Sequence, residues 1–300
     1  YGYPSLGRYG LGNLLFPWAR CFLWCREHNI PMIAPQWAQI RIGPYLRRER
    51  DKRNYQRLFE HDGYITGAKR AALLATAPKI DEGRKDVILE TAGRGRQIVV
   101  FREMATMFDP LRGASQALGA EINRITRPQF LPQPMTETPF IGIHVRRGDF
   151  AAPKTEADLR EGRTSLRIPL SWYIAALARL REGMEGRTPA LVFSDGDEQE
   201  LADLLAIPDV ALQSGNAAIT DLLSLAQARA IIASGSTFSM WASFLSQVPT
   251  LWFPGQRKQR VLDAANGDEL EPEFDPDMGL SPALLETLRA RWKAQPAIRD

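Results

Sequence analysis

Apolar positions fall into two registers along the chain. Near the start, glycines at Gly7, Gly10 and Gly12 lead into a segment where Leu15, Trp18, Ala19 and Phe22 recur at helical spacing, with Asn29 after the last of them. A glycine-rich loop feeding a helix is predicted there. Ile30–Ala34 and Gln97–Val100 are short apolar runs of strand length, with charged and loop-like pieces between them. Tyr1–Arg8 makes a poor strand, so a first strand is expected to be missing or irregular. Between Ile125 and Phe140 periodicity gives way to a proline-rich stretch. That composition predicts a linker, with domains over 1–135 and 136–300.

The second half alternates more regularly. Strands are predicted at Phe140–Val145, Ala190–Ser194 and Ala230–Ala233. Helices are predicted at Ser171–Leu180 (capped by Ser171 after Pro169), Gln199–Ala206, Asp221–Ala228 and Thr237–Ser246. Strand and helix in alternation call for an α/β fold with a parallel sheet and crossover helices. In such sheets a ligand sits beyond the carboxyl ends of the strands. That rule selects three polar segments: His144–Asp149, Asp195–Asp197 and Ser234–Ser239.

Composition narrows the class. The chain has 300 residues, 44% of them hydrophobic and 24% charged, with a net charge of +3, as befits a globular protein with a substantial core. No stretch approaches the roughly 18 apolar residues of a membrane span, and no signal-like segment opens the chain. Because the first residue is Tyr1, the start is expected to be processed or cut. Cys21 and Cys25 stand four apart on one helix face and are expected to be buried thiols in a reducing, cytoplasmic compartment.

Charge is unevenly spread. Residues 1–135 carry 21 Lys/Arg against 12 Asp/Glu, while residues 136–300 carry 17 against 23. The basic surplus peaks between Arg47 and Arg57. It is read either as a solvated helix face or as a surface for an anionic partner, an acceptor or the lipid headgroups of a peripheral inner-membrane contact. No nucleic-acid-binding motif accompanies it, so nucleic acid is not expected as a partner.

Each polar segment has a chemical reading and a plainer one. In HVRRGD, adjacent arginine forks suit a diphosphate or a carboxylate; an internal ion-pair cluster is the alternative. Strand alternation would aim Arg146 and His144 at the ligand and leave Arg147 as a brace, through Asp149. At Ser234–Ser239, a helix start with hydroxyls at Ser236, Thr237 and Ser239 suits phosphate, or is an ordinary cap. Asp195-Gly-Asp197 has the form of a divalent-cation site, or of an acidic turn; the turn is expected, with no metal and no cofactor. No nucleophile elbow or P-loop is apparent.

Together these residues resemble the GDP-fucose-dependent fucosyltransferase superfamily, the α-1,2-fucosyltransferases with more distant α-1,6- and protein O-fucosyltransferase relatives. The resemblance rests on YGLGNLLF (Tyr9–Phe16), GIHVRRGDF (Gly142–Phe150), LVFSDGDEQ (Leu191–Gln199) and DLLSLAQARAIIASGSTFSMWASFL (Asp221–Leu245). It implies an α/β GT-B glycosyltransferase with two Rossmann-like domains facing each other. Donor binding is expected in the second domain, and fucose transfer to a glycan hydroxyl inverting and metal-independent, with the α-1,2 linkage favoured and polysaccharide synthesis the setting. Arg146 would clamp the donor diphosphate. His144 and Asp221 would meet guanine or ribose. Ser236, Thr237, Phe238 and Ser239 would form the phosphate turn, with Arg147 and Asp195 counted beside it. Gly10, Gly12 and Asn13 would close over the donor from the first domain. Thr155-Glu156-Ala157 resembles a motif of the α-1,6 relatives, which nominates Glu156 as the base ahead of Asp149. The segment Ala151–Arg167 is longer and more charged than the family pattern and is expected to bear on acceptor choice. A GT-B transferase using another nucleotide sugar, and a non-catalytic nucleotide- or glycan-binding module, are the alternatives.

Overall fold

The structure is a computed structural model that describes residues 1–38, 54–85, 96–134, 138–184 and 187–293. The described chain divides into two compact units, and the change-over along the sequence falls between Gln129 and Phe130. The linker position expected at 135/136 lies outside the described residues, as does most of the basic stretch from Arg47 to Arg57.

In the first unit three short strands, β1 (Gly2–Pro4), β2 (Lys79–Asp81) and β3 (Ile98–Phe101), form a parallel sheet of order β1-β3-β2. A strand does therefore open the chain, although Gly2–Pro4 has poor intrinsic β-propensity. Tertiary packing explains it. A Cβ at Gly2 would fall 2.3 Å from the Cys25 sulfur and 2.9 Å from that of Cys21, so only glycine lets the strand lie on the helix beneath. Both thiols are buried and free, as expected. The predicted strand Ile30–Ala34 shrinks to single parallel bridges, Met32 with Gly2 and Ile33 with Ile65. The helix spans Leu11–Glu27, with Pro17 inside it and Leu14, Leu15, Phe16 and Trp18 fully buried.

The second unit carries the clearer architecture. Among the described residues its sheet has five strands, β4 (Ile141–Val145), β5 (Ala190–Ser194), β6 (Val210–Gln213), β7 (Ala230–Ile232) and β8 (Thr250–Leu251). All pair in parallel, in the order β6-β5-β4-β7-β8. Counted within the unit, this is the doubly wound order 3-2-1-4-5, in which the winding reverses between β4 and β7. Every residue of β4 is buried, as a central parallel strand covered on both faces must be. Gly142 on β4 is where the helix Ala218–Leu225 presses closest: a Cβ there would lie 2.5 Å from Leu225 Cδ1.

Three helix boundaries differ from expectation. One helix starts at Leu170, with Pro169 rather than Ser171 at its cap. The predicted helix Gln199–Ala206 is reduced to Ala202–Leu205, because Asp197 and Glu200 close a turn ahead of it through Glu200 N–H to Asp197 Oδ1 (2.8 Å). Ala218–Leu225 begins three residues before Asp221. Thr237–Ser246 stands as predicted, its Ser236 cap accepting from Phe238 N–H at 3.1 Å.

Candidate active site

A reversal of winding opens a crevice at the carboxyl ends of the two strands that flank it. Here those ends are His144–Asp149 after β4 and Ser234–Ser239 after β7. The topology thus brings together the two segments that the sequence singled out most strongly.

His144 is 5% exposed and is the hinge between them. Its Nδ1 lies 2.8 Å from Ser234 Oγ and 2.7 Å from Ser239 Oγ. Its ring stacks on Phe238 at 4.8 Å between centroids. Burial, aided by the nearby Arg146 charge, pulls its pKa down to about 3, so the imidazole is neutral at physiological pH. With Nδ1 occupied by hydroxyls, Nε2 is the ring nitrogen left to meet a ligand. Ser234 opens the segment that the strand-end rule selects, but nothing in the local pattern marks its hydroxyl for this role. Ser239, expected among the phosphate donors, is 0% exposed and bonds His144 and Ser234 instead. Helical periodicity accounts for this: as the third residue of its helix, Ser239 turns inward toward β4.

Arg146 leaves the end of β4 between two carboxylates. NH1 meets Asp195 Oδ2 and NH2 meets Asp149 Oδ1, each at 2.6 Å. The guanidinium also lies over the Phe150 ring, 5.4 Å from its centroid. Two forked ion pairs fix the plane of the group while its remaining N–H donors stay available. The Arg147 guanidinium points the other way, into the protein, and donates to the Ile168 carbonyl at 2.9 Å. Arg147 is thus a brace, as strand alternation predicted, but not through Asp149, which pairs with Arg146. Its backbone N–H is held by Asp195 Oδ1 at 2.7 Å.

Asp195 is therefore the keystone of the loop. Both of its oxygens are engaged by the two arginine residues, and Asp197 Oδ1 closes the following turn. Gly148 explains how Asp195 gets so close: a Cβ at that position would lie 2.0 Å from Asp195 Oδ2. Gly196 matters for the same reason, since a Cβ there would fall 2.8 Å from Arg147 Cγ. Neither steric demand is visible from local sequence.

The remaining candidates sit further out. Glu156 is exposed and pairs with Arg160 at 2.8 Å, at the start of the helix Glu156–Arg160. Asp221 accepts from Asn216 Nδ2 at 3.0 Å in the first turn of its own helix. Gly10, Gly12 and Asn13 belong to the first unit. The helix there begins at Leu11, so Gly10 is its cap and the other two form its first turn. Leu11 N–H donates to the buried Tyr55 hydroxyl at 3.1 Å.

Comparison with known proteins agrees with this geometry. The model of Glycosyl transferase family 11 matches residues 121–253, a stretch that contains β4, β7 and the crevice between them. No curated protein matches the sequence. Among solved structures, the fold is similar to that of a NodZ α-1,6-fucosyltransferase soaked with GDP-fucose, at 15% identity and a TM-score of 0.52, over 84% of this chain and 94% of that one. NodZ structures of this group come from Bradyrhizobium. An Arabidopsis thaliana FUT1 variant in complex with GDP gives 10% identity and a TM-score of 0.46, over 94% of this chain and 79% of that one. POFUT1 in complex with GDP gives 11% and 0.45, over 84% and 98%. The family match and the shared fold bear out the resemblance to the fucosyltransferases, the α/β GT-B class and the assignment as a glycosyltransferase.

Proposed function

We propose that the protein transfers fucose from GDP-fucose to a glycan hydroxyl, with inversion and without a metal ion. The observation that carries this reading is Arg146, held by Asp149 and Asp195 at the strand end beside the helix start Ser236–Ser239. As the bond between the anomeric carbon and the diphosphate breaks, the leaving oxygens gain negative charge. Arg146 is already oriented to receive that charge, and its orientation is set before the reaction begins. The helix Thr237–Ser246 adds its N–H groups and positive dipole end on the same side of the crevice. The neutral His144, fixed by Ser234 and Ser239, offers Nε2 to the nucleoside or a phosphate oxygen without adding a charge.

On the opposite side of the anomeric carbon the acceptor oxygen attacks, and its proton passes to a carboxylate. Glu156, which the motif resemblance nominates, and Asp149, which is paired with Arg146 at 2.6 Å, are the two carboxylates proposed for that role. Glu156 pairs with Arg160 at 2.8 Å and is the first to test, by Glu156→Gln. The α-1,2 linkage follows from the motif resemblance and is the first to test among acceptors. Because Asp195 is committed to Arg146 and Arg147, the Asp-Gly-Asp element is read as structural.

The test is a transfer assay with GDP-fucose, GDP-mannose and a UDP-sugar, run on the wild type and on Arg146→Lys. Fucose transfer is expected, with kcat/KM lowered about 100-fold or more by the lysine, which keeps the charge but loses the fork. Turnover of another donor in place of GDP-fucose overturns the fucose assignment. Nucleotide binding with no turnover on any donor overturns the enzymatic one.

A further inference from the structure

Directly after Arg146–Phe150 the chain makes a loop that closes on itself. Ala151 and Leu166 form a parallel bridge, with Ala151 N–H donating to the Ser165 carbonyl (2.9 Å) and Arg167 N–H to the Ala151 carbonyl (2.8 Å). Such a loop, with adjoining ends and internal packing, is a fixed element rather than a slack connection. Inside it Thr155 and Asp158 form a reciprocal capping box, and Asp158 pairs with Arg163 at 2.8 Å.

The loop is seated on the segment that follows β8. Gly255, at φ +80°, lies so close beneath it that a Cβ would fall 2.3 Å from the Arg160 carbonyl oxygen. Arg160 stacks over Phe253, 5.8 Å from the ring centroid, and reaches Asp275 at 3.3 Å. The central fastening is Gln256, which is 2% exposed. Its Nε2 donates to the Leu159 carbonyl at 2.7 Å and to the Arg163 carbonyl at 3.2 Å. Its other end rests on the turn after β7: a Cβ on Gly235 would lie 2.5 Å from Gln256 Oε1. One buried amide therefore touches both the loop after β4 and the turn that leads into Ser236–Ser239.

We infer that Gln256 is a positioning residue that couples the Ala151–Leu166 loop to the turn after β7, so that the stability of the loop depends on what occupies that turn. This deepens the function proposed above and rests on it for the identity of the ligand. Occupation of the turn fixes Gly235, Gly235 fixes Gln256, and Gln256 fixes the loop.

The exposed Arg160 and Arg163 give the test a direct readout, the rate of tryptic cleavage after them. Gln256→Glu keeps the shape but replaces the NH2 group, which makes both bonds, with a carboxylate oxygen facing two carbonyls. Cleavage is expected to rise about tenfold in that variant, the change in local opening that goes with a lost buried hydrogen bond. GDP is expected to slow cleavage in the wild type and to leave Gln256→Glu unprotected, although calorimetry still shows GDP binding to both. Gln256→Met serves if the glutamate variant does not fold. Cleavage at the wild-type rate overturns the inference. So does faster cleavage that GDP suppresses as fully as in the wild type, which reduces Gln256 to a structural bond. A wild type that binds no GDP by calorimetry overturns the donor reading, and the variant's cleavage rate then decides the anchoring of the loop alone.

Discussion

Replacing Gly148 by alanine attacks the mounting of Arg146 while leaving both of its carboxylate partners in the sequence. The new Cβ would lie 2.0 Å from Asp195 Oδ2, so the carboxylate must retreat by more than an ångström to reach ordinary contact. That retreat opens its 2.6 Å bond to Arg146 and its 2.7 Å bond to Arg147 N–H. The Arg146 and Asp195 side chains are 25% and 18% exposed, so neither bond is a fully solvated surface pair. Hydrogen bonds to charged groups are worth about 1.5–3 kcal/mol each, and overpacking adds about 1–3 kcal/mol, part of which backbone relaxation recovers. A net loss of about 3 kcal/mol is expected, seen as a fall in Tm of roughly 6–12 °C by calorimetry. Fucose transfer should fall about 100-fold, because the leaving diphosphate then meets a misaimed fork. The decisive comparison is a double-mutant cycle with Asp195→Ala. Once the carboxylate is gone, Gly148→Ala should be nearly neutral. A Gly148→Ala variant within 1–2 °C and twofold of wild type would refute the reasoning, as would full additivity in the cycle.

Two further outcomes are expected. His144 is held neutral to about pH 3 in the folded chain, against an ordinary value of 6.5. Since the unfolded chain takes up that proton first, the contribution of His144 is complete above about pH 6.5 and drains away as the pH falls toward 3. Thermal unfolding across that window should show a shallower loss in His144→Gln than in wild type, and an equal slope in both would remove His144 as the cause. Transfer should also survive EDTA, because Asp195 is committed to the two arginine residues; strict dependence on added Mn²⁺ would instead assign Asp195 and Asp197 to a cation.

Much of the second unit was legible because its strands are short apolar runs ended by polar residues, and the ligand rule for parallel sheets then selected the strand ends. β4 and β7 were placed nearly to the residue. What escaped depends on distant partners. Gly148 looks like a turn glycine until Asp195, far along the chain, is brought beside it. Ser239 looks like a ligand donor until the helix is turned so that it faces His144, and Ser234 gains its role only from the same contact. Gln256 carries no signal at all, since its role is defined by two carbonyls and a glycine on other loops. In the first unit, Gly2–Pro4 defied propensity because the two thiols beneath it accept only a glycine.

The strand order also bears on how the chain is made. β4 is synthesised first in its sheet, yet both of its neighbours come later: Ile141 pairs with Ala190 on one side and with Ala230 on the other. At about 5–20 residues per second, an apolar strand with two open edges waits several seconds on the ribosome for its first neighbour and longer for its second. During that interval Ile141–Val145 presents two unpaired apolar edges to whatever it meets. The strand that carries Arg146 into the crevice is therefore also one that depends on protection during synthesis until both of its neighbours are made.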